Sequence, residues 1–268
     1  MKKLSFILAA AALMLLVISC DKIDINNTHK PVNVSGHGKT VLIKDFTGVR
    51  CVNCPSAAET AHELQHQMGE DYVVIMSVHA GPLAQPSGQF PNFLTPEGTE
   101  WYRDNSSNPL FSVDHVALTD GHTLYVEQID SPVADALDEP KTFDVSIVNV
   151  YDTTNRQLKV ESDVKAVEEV AGDFCVTVCL LEDSIVGWQL THDGLNREYV
   201  FRNVFRGTLN GASGESFGNG EVAADTHKTF SHTMELDSNF NADQCYSLTY
   251  VYDKTDGKIM QTAVKKIK

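Results

Sequence analysis

Two cysteines separated by two residues are the part of this sequence best suited to chemistry. Cys51 and Cys54 follow a short apolar run and stand directly before Pro55, where a stretch of good helix formers begins. A cysteine at the start of a helix lies at the positive end of the backbone dipoles, which lowers its pKa and favours the reactive thiolate. The pair is therefore a candidate for thiol–disulfide chemistry, provided that the sulfur of Cys51 is reachable from solvent.

Two ionisable residues are candidates for the same site. Asp45 lies in the apolar run before the cysteines, and His79 ends a second apolar run at residues 71–79. Because ligands gather at the carboxyl ends of parallel strands, His79 could lie beside Cys51 and tune the charge of its thiol. Each residue also has a purely structural interpretation: Asp45 could bond a nearby turn, and His79 could be a partly buried histidine held by the backbone.

Alternating strand-like and helix-like patterns surround these candidates. Residues 40–46 and 71–79 are apolar runs of strand length, and residues 55–68 between them carry apolar side chains at helical spacing until Gly69. Strand, helix and strand in this order predict two parallel strands joined by a right-handed crossover. The cysteine pair would then lie between the first strand and the helix.

A hairpin and a helix are predicted to close this first half. Asp120 and Gly121 separate two strand-like stretches, residues 113–119 and 122–126, and this dipeptide favours a tight hairpin turn because it tolerates positive φ. Residues 130–137 follow as a predicted helix. Together these elements predict an α/β domain.

Residues 38–139 resemble the thioredoxin fold. Asp45, Cys51 and Cys54 have the spacing of thioredoxin's buried acid and redox pair. The resemblance implies an α/β thioredoxin-like domain with a Cys51–Cys54 disulfide. No cofactor is predicted. It also implies that Cys51 is the nucleophile, that Cys54 is the resolving thiol and that Asp45 helps to move protons beneath them.

The sequence departs from thioredoxin at three places around the pair. Arg50 stands where thioredoxin has tryptophan, and Asn53 stands where it has proline. Thioredoxin also has a cis-proline just before its hairpin. Counting back from Gly121 puts this position near residues 113–114, which contain no proline, and Pro109 lies too early. These departures favour an alternative in which the disulfide is a static clasp.

Residues 140–268 consist almost entirely of strand-like segments. Apolar and polar residues alternate in short stretches separated by turn residues, which predicts an all-β antiparallel sandwich. The glycine-rich stretch at residues 207–220 is interpreted as a mobile loop. The sequence thus predicts two domains, with their boundary between residues 139 and 140.

Three further cysteines lie in this second half. Cys175 and Cys179 would share a face of one strand, but they lie too far apart along it to bond each other. Cys245 could pair with one of them, or all three could remain free thiols. No histidines, cysteines and carboxylates stand together at metal-ligand spacing, so no metal site is predicted.

The beginning of the chain carries an export signal. Two lysines precede an almost wholly apolar run, residues 6–18, which is too short to span a bilayer comfortably. The stretch at residues 16–20 resembles a bacterial lipobox. This resemblance implies that residues 1–19 are a signal peptide and that lipid is attached to Cys20. The polar residues 20–37 would then form a tether between the membrane and the folded part.

The acidic composition limits the kinds of molecule that the protein can bind. The formal net charge is −15, and removal of a signal peptide with two lysines would make the remaining chain more acidic still. An acidic surface disfavours nucleic acid and electrostatic binding to anionic lipid. The expected contact with the membrane is therefore through lipid on Cys20.

A wider resemblance covers nearly the whole chain. The stretch KDFTGVRCVNCP at residues 44–55, together with the lipobox, the tether and the β-rich half, is similar to the outer-membrane-protein-28 lipoprotein family of Bacteroidetes. The resemblance implies a lipid-anchored protein at the outer membrane, facing the periplasm or the cell surface. It leaves two hypotheses for function: an interaction module for a protein or glycan partner, or a thiol–disulfide oxidoreductase that uses Cys51 and Cys54.

Overall fold

Strands dominate the part of the chain that the computed structural model describes, residues 38–102 and 106–268. Three α-helices occur there: α1 (Cys54–Met68), α2 (Pro96–Trp101) and α3 (Asp130–Leu137). The strands are β1 (Val41–Thr47), β2 (Val73–His79), β3 (Leu110–Val113), β4 (Phe143–Asp152), β5 (Gln157–Ala166), β6 (Val170–Glu182), β7 (Ile185–Thr191), β8 (Gly194–Phe201), β9 (Val204–Thr208), β10 (Glu215–Val222), β11 (His227–Glu235), β12 (Cys245–Asp253) and β13 (Ile259–Lys266).

The predicted signal peptide, the lipid attachment site Cys20 and the tether lie outside the described residues. These three features therefore stay predictions. None of the described helices is long and apolar enough to cross a bilayer.

The predicted strand, helix and strand around the cysteine pair are confirmed. β1 and β2 are parallel, with Val41 opposite Val73 at one end and Thr47 opposite His79 at the other. Helix α1 connects them and buries its small and aliphatic side chains against one face of the pair. Gly69 ends the helix with a φ of 102°, a conformation that a residue with a side chain rarely adopts.

The predicted hairpin around Asp120 and Gly121 is wrong. β3 runs antiparallel to β1. The second predicted strand of the hairpin, residues 122–126, contributes only one isolated bridge, from Leu124 to Phe111. The chain leaves the sheet after β3 because Asp114 adopts a positive φ of 46° and its carboxylate accepts the Leu42 N–H at 2.8 Å. The buried hydrogen bond of the Asp114 carboxylate is therefore favoured over a continuation of β3.

The expectation that no proline precedes this strand is also wrong. The peptide bond between Asn108 and Pro109 is cis, and Pro109 directly precedes β3. The error follows from the hairpin: counting back from Gly121 assumed a strand near residues 113–119, whereas the observed strand starts at Leu110.

One eight-stranded sheet runs through both halves of the described chain. Its order is β13-β12-β6-β9-β2-β1-β3, and β10 pairs with β6 beside this path. The two halves join where Ser77 of β2 pairs with Val204 of β9. The division between residues 139 and 140 stays a prediction, since strands from both sides of it share this sheet and one compact unit.

A second sheet, of order β11-β5-β4, packs against the β-rich part of the large sheet. Phe143 and Phe230 of the small sheet pack against Phe174 and Val251 of the large one. The β-rich character predicted for residues 140–268 is thus confirmed, with two sheets packed face to face.

The interpretation of residues 207–220 as a mobile loop is wrong for the second part of that stretch. Residues 215–222 form β10, which pairs antiparallel with β6 through a register shift between Ser216 and Gly218. Phe217 packs into the core between the two sheets. Backbone pairing and this single aromatic side chain are sufficient to order a segment whose composition resembles a loop.

All three cysteines of the second half are free and buried. Cys175 and Cys179 lie on the face of β6 that packs against Trp101 and its neighbours. Cys245 lies on the other face of the sheet, in the cluster with Leu158. Its pairing with either of the other two is therefore excluded by the layer of backbone between them, and the alternative of three free thiols is confirmed.

Candidate functional site

Four polar side chains occupy one face of the β1–β2 pair at its carboxyl end. They are Asp45 and Thr47 of β1 and Ser77 and His79 of β2, here called the polar floor. Side chains two residues apart in a strand share a face, so the polar floor continues the apolar stripe that α1 covers nearer the amino ends of the strands. All four are buried, yet all four line the same cavity.

The cysteine pair lies at the edge of this floor and forms a disulfide. Helix α1 begins at Cys54, and Asn53 is the residue before its first turn. The N–H of Cys51 donates to the carbonyl of Gly48, which makes a tight turn between β1 and the helix. Cys54, and not Cys51, is therefore the cysteine at the helix start.

Both cysteines are buried, with 2% of each residue exposed. Only Cys54 lines the cavity above the polar floor. The Cys51 sulfur is not solvent-reachable in this conformation, so the redox hypothesis depends on access from the Cys54 side of the disulfide. The assignment of Cys51 as nucleophile and Cys54 as resolving thiol stays a prediction.

The hairpin of β7 and β8 forms the roof of the site, and we call residues 185–201 the roof hairpin. The amide of Gln189 donates to the carbonyls of Cys51 at 3.0 Å and Gly48 at 3.3 Å. The N–H of Leu190 donates to the carbonyl of Val49 at 3.0 Å. These bonds hold the roof hairpin across the backbone that leads to the disulfide.

The cavity between polar floor, helix start and roof hairpin has a volume of about 500 Å³. The roof contributes Tyr199, Val200 and Phe201 to its wall, and charged groups of both signs line its edge, among them Glu59 and Arg202. Pockets of this size are typical of sites for small molecules. Sequence reasoning identified Asp45, His79 and the cysteines, but it missed the roof, because a hairpin of mixed composition carries no signal for what it covers.

Asp45 has no hydrogen-bond partner for its Oδ1 atom. Burial raises the pKa of this carboxyl from its ordinary value of 3.8 to about 7, because the charged form is poorly solvated there. The group is thus protonated in a large fraction of molecules near neutral pH. It can take up or release a proton in the cavity that Cys54 also lines.

His79 is neutral at physiological pH. Burial, and secondarily the positive charge of Arg206, lower the pKa of its imidazole to about 3. The ring packs edge-on against Phe93 and Phe201, with centroid distances of 4.8 and 5.7 Å, and Nδ1 has no hydrogen-bond partner. The imidazole therefore adds no positive charge that would stabilise a thiolate.

A metal centre is not formed by these residues. Across residues 38–102 and 106–268, no group of three or more histidine, cysteine or acidic side chains is close enough to hold an ion. The arrangement can instead support chemistry of the disulfide itself, with a buried acid nearby.

Comparison with known proteins places the chain in a family. A model of the family described as "Outer membrane protein Omp28" matches residues 120–268. Among solved structures, HBP35 of Porphyromonas gingivalis matches with a TM-score of 0.67 and 15% identity, covering 87% of this chain and 76% of that one. This likeness concerns the fold alone.

A second solved structure, a domain of the outer membrane lipoprotein Omp28 from Porphyromonas gingivalis, is 24% identical. It covers 47% of this chain and 88% of its own, with a TM-score of 0.35. Among curated proteins, none matches the chain. Because the family match extends over more than half of the sequence, the predicted family is confirmed: this chain belongs to the Omp28 family of outer-membrane proteins.

Proposed function

We propose that this protein is anchored in the outer membrane by lipid on Cys20 and carries out thiol–disulfide exchange through Cys51 and Cys54. The observation that carries the proposal is the shared cavity of Cys54 and the unpartnered carboxyl of Asp45. Burial of a polar group without a partner costs free energy, and a disulfide that served only as a clasp would gain nothing from it. Acids with strongly shifted pKa values are concentrated at functional sites.

The chemistry requires a thiolate, a disulfide and a proton carrier. An incoming thiolate attacks one sulfur of the disulfide, and the other sulfur leaves with the electron pair and takes up a proton. A carboxyl with a pKa of about 7 is suited to supply or remove that proton near neutral pH. Asp45 would fill this role, as the resemblance to thioredoxin implies.

A thioredoxin-like architecture of residues 38–139 is part of the proposal. It is supported by the parallel β1–α1–β2 unit, by the antiparallel β3 beside β1, and by α3 at the end of this half. The β-rich residues 140–268 then supply the roof hairpin. Residues 20–37 would act as the tether that holds both parts at the membrane, on its periplasmic or outer side.

The reduction potential of the Cys51–Cys54 pair tests the proposal. We expect a value of roughly −120 to −270 mV, the range of exchange proteins, in redox-buffer titrations of the exported chain. We also expect Asp45→Asn to slow disulfide reduction near pH 7 by about tenfold or more, since proton transfer by a positioned group contributes at least that much. Lys44→Met, on the opposite face of β1, is the matched control and should leave this rate unchanged. A potential below about −300 mV would contradict the proposal.

A second candidate is an interaction module in which the disulfide is a static clasp. The burial of both cysteines under the roof hairpin favours it, because a clasp needs no access. In this case the partner would be a protein or a glycan, bound elsewhere on the surface. A very low reduction potential together with unaltered partner binding after mild reduction would support this candidate over exchange.

A further inference from the structure

The roof hairpin bounds the cavity beside the disulfide on one side. The cavity volume of about 500 Å³ suits a small molecule, whereas the roof hairpin stands where a larger partner would have to approach Cys51. Of the two sulfurs, only that of Cys54 belongs to a residue on the cavity wall. A substrate that enters this space meets one end of the disulfide and the polar floor.

The backbone around the disulfide is already paired. One common way for an extended polypeptide to dock is by hydrogen bonds to exposed main chain. Here the carbonyls of Gly48, Val49 and Cys51 accept bonds from Gln189 and Leu190 of the roof hairpin. A protein substrate that docks in this way would have to displace these bonds, but a small molecule inside the cavity would not.

The edge of the cavity carries both signs of charge. Arg202 supplies a cation, and Glu59 and Asp193 supply carboxylates. A guanidinium pairs with a carboxylate, and a carboxylate pairs with an ammonium group. The chemistry that matches this edge is a small molecule with an amino group and a carboxyl group.

We propose that the substrate of this site is a small zwitterionic thiol of the chemical class of cysteine, oxidised at Cys54, and not the thiol of a polypeptide. This inference rests on the proposed function and specifies its substrate class. The charged edge of the cavity orients the substrate, and the polar floor surrounds its sulfur.

The reaction balances with the disulfide that the structure contains. The thiolate of one substrate molecule attacks Sγ of Cys54, the bond to Cys51 breaks, and the Cys51 sulfur leaves with the electron pair and takes up a proton. The thiolate of a second molecule attacks the substrate sulfur of the mixed disulfide, and the Cys54 sulfur leaves and takes up a proton. Two small thiols are thereby oxidised to one disulfide, and the protein disulfide is reduced to two thiols.

Reduction rates with a set of thiols test the substrate class. The full chain is mixed with cysteine, with cysteamine, which lacks the carboxylate, with 3-mercaptopropionate, which lacks the ammonium group, or with an unfolded polypeptide that has one cysteine. Each rate is divided by the thiolate concentration and by the rate of the same thiol with a model disulfide. We expect cysteine to react at least about tenfold faster than the polypeptide, the equivalent of about 1.4 kcal/mol, and faster than either single-charge thiol.

Variants locate the effect in the cavity. Val200→Trp, on the cavity wall, should reduce the rate with cysteine about tenfold or more by filling the space, whereas Val186→Trp, an exposed residue of the same hairpin outside that wall, should not. Arg202→Gln should remove the advantage of cysteine over cysteamine, and Glu59→Gln its advantage over 3-mercaptopropionate. Circular dichroism verifies that each variant is folded.

Failure of the proposed substrate class and failure of the proposed function give different results. Equal or faster reduction by the polypeptide, with no effect of Val200→Trp, would overturn the substrate class and leave thiol exchange intact. No reduction by any thiol, together with a potential below about −300 mV, would overturn the proposed function itself.

Discussion

The two faces of β1 bury opposite charges in opposite ways. Lys44 and Asp45 are neighbours in sequence and are both buried, with 0% and 2% of the residue exposed. The ammonium of Lys44 lies 3.8 Å from the centroid of the Trp101 ring, 4.7 Å from that of Tyr250, and donates to the carbonyl of Val116 at 2.7 Å. Asp45 faces the cavity, and its Oδ1 has no partner.

This comparison teaches that burial of an ionisable group does not by itself indicate function. Burial lowers the pKa of Lys44 to about 7 and raises the pKa of Asp45 to about 7, so both groups depart from their ordinary values. Lys44 and Asp45 differ in whether other groups contact their charged atoms. The Lys44 face is filled by two aromatic rings and a carbonyl partner, and the Asp45 face is left open beside a disulfide.

The largest expected effect is on the packed face. Trp101→Ala should lower the free energy of unfolding by about 3–5 kcal/mol, because it removes a buried indole that packs on Lys44 and on Phe205. Urea denaturation measures the change. Val52→Ala, an exposed residue on the cavity side, should change the stability by less than about 0.5 kcal/mol. Similar losses for both variants would remove the distinction between the faces.

The next effect concerns Asp45 and pH. Its folded-state pKa is raised above the ordinary 3.8, so its contribution to stability is fully present below pH 4 and is lost as the pH rises through about 7. Asp45→Asn cannot ionise, so its stability relative to the natural chain should increase between pH 4 and 8, by on the order of 4 kcal/mol at most.

Unfolding curves at several pH values measure this difference. Glu221→Gln, at an exposed carboxylate, is the control for the loss of one negative charge. A stability difference for Asp45→Asn that stays constant from pH 4 to 8 would show that the carboxyl has a partner after all.

Lys44 should show the opposite sign and a smaller effect. Its folded-state pKa is lowered, so the folded chain binds fewer protons than the unfolded chain between pH 7 and about 10, and stability should rise with pH there. Because the rings of Trp101 and Tyr250 stabilise the cation, we expect a change of only about 1–2 kcal/mol. Lys44→Met should lose this rise, as measured by thermal unfolding at pH 7 and 9.5. Retention of the rise in Lys44→Met would assign it to other groups.

The smallest expected change in stability is at the roof. Gln189→Ala should cost about 1 kcal/mol, because it removes hydrogen bonds to the carbonyls of Gly48 and Cys51. It should nevertheless speed the reduction of the disulfide by dithiothreitol several-fold, since the roof hairpin then opens more readily. Asn196→Ala, near the tip of the same hairpin, is the control. An unchanged rate in Gln189→Ala would show that the roof does not limit access.

Much of the site near the cysteines could be predicted from the sequence. Asp45 and His79 each lie at the carboxyl end of an apolar run of strand length, and the helix that follows Cys54 has strong formers. Such local patterns determine strand and helix, and a parallel strand pair brings its carboxyl ends together. The hairpin prediction at Gly121 failed because the buried contacts of Asp114 outweighed a favourable turn dipeptide.

The sequence by itself determined the strand and helix order around the cysteines, the β-rich second half and the family, since these depend on composition, local periodicity and motif. Only the tertiary structure decided that one sheet joins both halves, that Cys245 is separated from Cys175 and Cys179, and that a hairpin from the second half covers the disulfide. These features depend on contacts between residues far apart in the chain. Their free energies come from packing and hydrogen bonds between distant segments, which no local pattern encodes.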